Sequence, residues 1–328
     1  MPRHTFHFLN VGQGDCSIIE HGSGRVSVID VCNAEKVTPL TEKARVKGNF
    51  QQNKHPVNPV EYLHKFNIYD VFRFILTHPD MDHMDGIKDF FECFSPANFW
   101  DTDNNKEIEF EQGGGYDEED WNFYKKLRDG KSSIYTNRLT LFSGDDGMYR
   151  TRDSNNNRPG DALYVLAPTP ELVQEANETE DYNDASYVIL YRGAGGRVLL
   201  SGDSHDKTWE HILDTWEDAV KDVDLLIAPH HGRKSGLSYD FLNVVNPKMT
   251  FFGNARSEHL AYSAWNYRKL EYITNNQANC MVVDCSGNNL TLYVTYETFA
   301  KSYNPYTFDS KIYDAWYLKE ITGWDLQE

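Results

Sequence analysis

Four side chains within six residues, His78, Asp80, Asp82 and His83, form an H-x-D-x-D-H cluster. Imidazole nitrogens and carboxylate oxygens at this spacing converge only on a tightly turned loop, and the carboxylates then repel unless a cation lies between them. Asp80 and Asp82 side by side would be costly without one. A solvated surface loop is the bland alternative, but the apolar run VFRFILT leads straight into the cluster. The chemistry expected of such a donor set is the binding of a divalent metal.

Elements must bring these donors together. VSVI ends at Asp30, VFRFILT at His78, RVLLSG at Asp203 and DLLIAP at His230, and each run reads as a buried strand. Ligand sites of open α/β layers gather beyond the carboxyl ends of strands, where all four of these residues stand. GIKDFFECF after His83 and DKTWEHILDTWEDAV after Asp203 carry apolar residues at helical spacing, so the chain is expected to be α/β. LTLYVTY (Leu290 to Tyr296) is a further period-two strand, followed by an aromatic-rich tail expected to pack on the body. Residues 101–160 differ: they are rich in acids, Asn and Gly, and are expected to be an insertion over or beside the site, either a lid or, more commonly for such composition, a solvated acidic loop. Gly113 to Gly115 lack the Lys-Ser/Thr of a phosphate loop and read as linker.

The chain has 328 residues, of which 40% are hydrophobic, enough for one large layered domain. Its five cysteines include no C-x-x-C pair and read as buried reduced thiols. No run is long and apolar enough for a membrane span, and the N-terminus enters a strand pattern without a secretory signal, so a mature cytoplasmic protein is expected. A net charge of -18 repels polyanions at long range. Broad capture of duplex nucleic acid by the whole surface is therefore not expected, and an anionic substrate must be attracted locally.

FLNVGQGDCSII (Phe8 to Ile19), VIDVC, ILTHPDMDHMDGI, NDASYVILY, VLLSGD and DLLIAPHHGRKSG occur in the order found in the metallo-β-lactamase-fold domain of the ComEC/Rec2 competence proteins and their stand-alone relatives. The resemblance runs from about residue 6 to about residue 295, with 101–160 outside it. It implies an αββα sandwich, two mixed β-sheets flanked by helices, in a single domain over 1–328 with an acidic insertion at 101–160 and a C-terminal extension after about 296. It also implies that His78 and Asp80 serve one metal position, Asp82 and His83 the other, and that Asp203 bridges both. A carboxylate fixed by Gly202 can reach two cations about 3.5 to 4 Å apart; its alternative is a helix N-cap for DSHDKTWEHI.

His230 and His231 match the HHG of the resemblance, one completing the second position and the other acting as an acid or binding phosphate. His259 is a further candidate last ligand, against the alternative of an isolated surface histidine. Arg233, Lys234 and Ser235 are expected to meet phosphate oxygens, and Asn183 is a further candidate for binding substrate. The turn Gly12 to Asp15 is expected either to approach the metals or to be purely structural, and Asp30 to buttress the ligand loop.

Two departures from the commoner H-x-H-x-D-H form matter. Asp80 replaces the middle histidine, and no histidine occurs from Met84 to Ser204. The first position is thus oxygen-rich and weakly held, with Asn183 and Asp184 as candidates to fill the gap. Two divalent ions at most are expected, with Mn²⁺ suited at least as well as Zn²⁺. The expected reaction is metal-assisted hydrolysis of a phosphodiester, single-stranded nucleic acid or nucleotide, with Asp82, His230 and His231 as catalytic residues. The alternatives are hydrolysis of a non-nucleic phosphodiester, ester or lactone, and a silent metal-binding regulatory subunit holding a protein partner through the acidic insertion.

Overall fold

The runs that end in candidate ligands are strands. In the computed structural model the described residues are 4–35, 54–110, 115–305 and 311–322, so Gly113 and Gly114 of the expected linker lie outside them. The strands, in chain order, are β1 (Thr5–Phe8), β2 (Ser17–Glu20), β3 (Val26–Ile29), β4 (Arg73–Ile75), β5 (Asn98–Trp100), β6 (Asn137–Leu139), β7 (Leu163–Ala167), β8 (Val188–Gly193), β9 (Gly196–Leu200), β10 (Leu225–Ile227), β11 (Met249–Phe252), β12 (Tyr272–Thr274), β13 (Met281–Asp284), β14 (Asn289–Val294), β15 (Lys311–Ile312) and β16 (Ala315–Thr322).

They form two sheets, ordered β15-β16-β14-β13-β1-β2-β3-β4-β5-β6 and β12-β11-β10-β9-β8-β7. Both are mixed. β3 to β6 run parallel while the rest of the larger sheet is antiparallel. In the smaller sheet β9 to β12 are parallel and β7 to β9 antiparallel. Parallel neighbours put several strand ends on one edge, and that edge carries the site.

Alternation decides which side chains enter the shared core. Phe6, Phe8, Ile19, Ile29 and Ile75 from the larger sheet meet Leu200, Leu225, Ile227 and Phe251 from the smaller one. The other face of the larger sheet is covered by α1 (Ile87–Phe94), whose Ile87, Phe90, Phe91 and Phe94 are buried, and by α2 (Glu118–Arg128). The smaller sheet is covered by α3 (Asp206–Val220) through Trp209 and Ile212. The expected αββα sandwich is the observed architecture.

One expectation changes and one holds. The described residues of 101–160 are not a solvated loop throughout: Trp121, Tyr124 and Leu127 of α2 and Leu141 are buried, and β6 extends the sheet beside β5. The spacing of those apolar residues outweighs the acidic composition, because Trp121, Tyr124 and Leu127 lie on one helix face. The segment after residue 296 supplies a helix (Glu297–Tyr303) and β16, which pairs with β14. No helix of the described residues is long and apolar enough to cross a membrane.

Candidate metal centre

His78 and His83 follow β4, Asp203 follows β9, and His230 and His231 follow β10, so both sheets contribute. The loop after β4 makes a short 3-10 turn over Met81–His83, which brings His78 and His83 to 4.2 Å between ring centroids. Asp30 fixes both rings. It accepts hydrogen bonds from Thr77 N (2.7 Å), Thr77 Oγ1 (2.7 Å) and His83 Nδ1 (2.8 Å). Thr77 Oγ1, donating to Asp30, is left to accept from His78 Nδ1 at 3.1 Å. Each imidazole therefore keeps its proton on Nδ1 and turns the lone pair of Nε2 inward, the arrangement of a histidine ligand held by a carboxylate.

The inward atoms lie close together without hydrogen-bonding partners. His78 Nε2, His83 Nε2, Asp203 Oδ1 and both ring nitrogens of His231 are buried and unpaired. Asp203 Oδ1 is 3.4 Å from His83 Nε2, while Oδ2 is 3.5 Å from His231 Nε2, 3.7 Å from His230 Nε2 and 3.9 Å from His78 Nε2. Asp82 Oδ2 is 3.6 Å from His231 Nε2. Ligand atoms of His78, His83 and Asp203 fall within 4.8 Å of one another, as do those of Asp82, His83 and His231. So many orphaned donors facing one point are rare in buried sites, and a divalent cation would satisfy them together.

The charge balance agrees. Burial opposes a charge on His231, but Asp203, Asp15 and Asp82 outweigh it and raise its pKa to about 10. Burial likewise opposes the carboxylate of Asp203, yet His231 and His83 hold it well below the usual range. The surroundings demand positive charge.

Asp203 is not the N-cap of α3, which is His205 two residues later. Asp80 is drawn away from the centre. Its Oδ1 pairs with Lys106 Nζ, and its Oδ2 stays 3.7 Å from His78 Nε2. Asn183 and Asp184 do not fill the gap at the first position, because Asn183 Nδ2 meets His205 Nε2 at 3.3 Å and Asp184 accepts from Thr208 at the start of α3. His259 is exposed and belongs to neither donor group; its carbonyl accepts from Lys234 N at 2.7 Å.

Arg233 and Lys234 are exposed directly after His231, with Arg233 N bonded to His230 O at 2.8 Å, so the run Arg233 to Ser235 lies at the rim. His230 and His231 both have positive φ, 50° and 55°, so the chain turns tightly there and both rings approach Asp203 Oδ2. His231 joins the donor group. His230 instead hydrogen-bonds through Nδ1 to His205 Nε2 at 3.0 Å, and His205 Nδ1 stands 3.8 Å from Asp181. Burial lowers His230 to about 4, with Asp203 opposing.

The turn from Gly12 to Asp15 lies against the ligand loop. Asp15 N donates to Asp82 O at 3.2 Å, and Asp15 Oδ2 is 3.6 Å from His231 Nδ1. Sequence reasoning missed Lys106 and His205. His205 was legible in principle, as a histidine two residues beyond Asp203; nothing in the pattern of residues 101–110 marks Lys106.

The architecture and the place of this cluster agree. The fold is the metallo-β-lactamase αββα sandwich. Among solved structures, the metallo-β-lactamase fold protein YhfI from Bacillus subtilis is 10% identical, with 86% of this chain and 99% of that chain covered at a TM-score of 0.45. The metallo hydrolase Igni18 from Ignicoccus hospitalis is 11% identical over 82% of this chain and 94% of its own, with a TM-score of 0.45. A diphosphatase from the PhnP family is 12% identical over 83% and 95%, with a TM-score of 0.41. No family model matches the chain, and no curated protein matches it. For this metallo-β-lactamase-fold protein the chemistry therefore rests on its own residues.

Proposed function

We propose that the protein is a metal-dependent hydrolase of phosphodiesters, with single-stranded nucleic acid or a nucleotide as the substrate class. The observation that carries this reading is the set of unpaired inward atoms, His78 Nε2, His83 Nε2, His231 Nε2 and Asp203 Oδ1, with two of the rings locked through Asp30. His83, His231, Asp82 and Asp203 would hold the ion. A divalent cation supplies Lewis acidity toward an anionic oxygen and lowers the pKa of water.

The remaining steps belong to this chain. Arg233 and Lys234 at the rim attract and orient an anionic substrate, which the net charge elsewhere repels. His230 lies outside both donor groups, and its side chain is partly open to solvent. As a neutral ring with Nδ1 accepting from His205 Nε2, it is placed to pass its Nε2 proton to a leaving oxygen as His205 delivers a proton to Nδ1, so that the ring stays neutral, with Asp181 beside His205 Nδ1 on the path from the surface. The motif order resembling the ComEC/Rec2 domain favours a phosphodiester over an ester or lactone.

The test is hydrolysis of bis-(p-nitrophenyl) phosphate, single-stranded DNA, RNA, duplex DNA and cyclic dinucleotides by chelator-stripped protein with and without Mn²⁺ or Zn²⁺. Metal-dependent cleavage of at least one phosphodiester is expected. Bound metal with no cleavage of any of them would overturn the reading in favour of a silent subunit.

A further inference from the structure

Fold and donor pattern together suggest room for two ions, yet the side chains divide differently. The two donor groups share His83. Its Nδ1 is committed to Asp30 at 2.8 Å, so Nε2 alone remains, and one lone pair binds one ion. Asp80, the residue that would distinguish the first position, is in neither group and gives Oδ1 to Lys106 Nζ.

Lys106 is built into its place. Its backbone N donates to Asn104 Oδ1 at 3.2 Å, and its carbonyl accepts from Arg128 of α2 at 2.8 Å. Its ammonium lies 5.1 Å from the ring centroid of Tyr182, whose hydroxyl donates to Asn105 Oδ1 at 2.9 Å. The side chain is 19% exposed. Helix α2, the loop before it and the Tyr182 turn thus carry one positive charge to the side of the centre that lacks a histidine.

We propose that Lys106 takes the first metal position: the centre binds a single divalent cation on His83, His231, Asp82 and Asp203, and the ammonium supplies the positive charge beside Asp80 and His78. This rests on the metal-binding reading above. A second ion there would have to share Asp80 with the ammonium and would find no imidazole lone pair except that of His78. The ammonium has protons beyond the one given to Asp80, and it offers them to an anionic substrate oxygen on the His78 side.

Metal-stripped protein titrated with Mn²⁺ or Zn²⁺ in a calorimeter, with elemental analysis after gel filtration, reads the count directly. One ion per chain is expected for the native chain and for Lys106→Arg, and two for Lys106→Gln. The Mn²⁺ paramagnetic resonance should be that of an isolated ion in the first two and of a coupled pair in the third. Asp80→Asn, which loses no ligand on this account, should keep its ion with affinity within about threefold. Two ions in the native chain, one ion in Lys106→Gln, or a loss above about tenfold in Asp80→Asn overturns the assignment. Binding of no ion by the native chain overturns the metal-binding reading itself. If Lys106→Gln fails to fold, the native count and Asp80→Asn still decide.

Discussion

At the scale of single residues, the site turns on a few atoms whose loss has separable effects. Asp203 lies within 4 Å of His78, His83, His230 and His231, the one carboxylate among the described residues paired with all four. Asp203→Ala should abolish metal retention and lower activity by at least about a hundredfold, whereas Asp214→Ala, exposed on α3, should change neither. Near-native activity in Asp203→Ala would sink the model of the centre. Asp30 touches no ion, but it orients two imidazoles; Asp30→Ala should cost about 10- to 100-fold in metal affinity, measured by competition with a chelator. The histidine pair separates by leaving group. His230→Ala should spare nitrophenyl esters and lose nucleotide cleavage, because nitrophenolate departs without a proton, while His231→Ala should damage both alike and lose metal. Equal loss of both substrates at full metal content in His230→Ala would remove the proton-donor role.

At the scale of elements, the backbone that carries the ligands has little tolerance. Gly14 has φ of 78°, and a Cβ there would stand 2.0 Å from the carbonyl oxygen of Asp82. Gly14→Ala must push the ligand loop away, so metal affinity should fall together with stability by about 1–3 kcal/mol; thermal melts with and without Mn²⁺ would show both. Unchanged metal affinity would mean that the loop absorbs the shift. The strands before Asp30, His78, Asp203 and His230 were legible because each is a short apolar run bounded by polar residues, and α1 and α3 because their apolar residues recur at helical spacing. The H-x-D-x-D-H and HHG residues were legible as clusters. The place of Lys106 was not, because its partner Asp80 lies far off in sequence and the stretch around it looks like solvated loop. The buried face of α2 shows why composition misled there: three apolar residues at the right spacing decide the packing of a segment that is otherwise acidic. The role of His259 failed for a related reason, since its loop reaches the rim through a backbone carbonyl and leaves the imidazole outside.

At the scale of the molecule, Asp161, just before β7, ties the start of β3 to β4. Asp161 is buried between Arg25, Ser23 and Arg73, with contacts of 2.7 to 2.9 Å. Burial opposes its charge, but the hydrogen bond from Arg25 and the charges of His21 and Arg73 hold its pKa down at about 2. A carboxyl that ionises near 3.9 in the unfolded chain then contributes stability that is present above about pH 4 and lost as the pH falls through about 2, about 2–3 kcal/mol in all. Asp161→Asn should be less stable near neutrality by about 3–5 kcal/mol, since Arg73 stays buried without its partner, and should lose less on acidification. Denaturant titrations at pH 6 and near pH 2.5 check both; an equal acid loss in the two proteins would remove Asp161 from the account.

The donors also come from strand ends of both sheets, with His83 on one and Asp203 and His231 on the other. Until β9 and β10 have docked against β3 and β4, no cluster exists to capture an ion. Ion binding should therefore follow the folding barrier and act on escape from the native state alone. Stopped-flow refolding of stripped protein should proceed at about the same rate with and without Mn²⁺, while unfolding slows by about tenfold or more when the ion is bound. Faster refolding with the ion would show that the cluster forms before the barrier. The ion would then govern how long each molecule survives: in a cell with protease present, the lifetime of this protein would follow the free metal concentration, even where no substrate is being turned over.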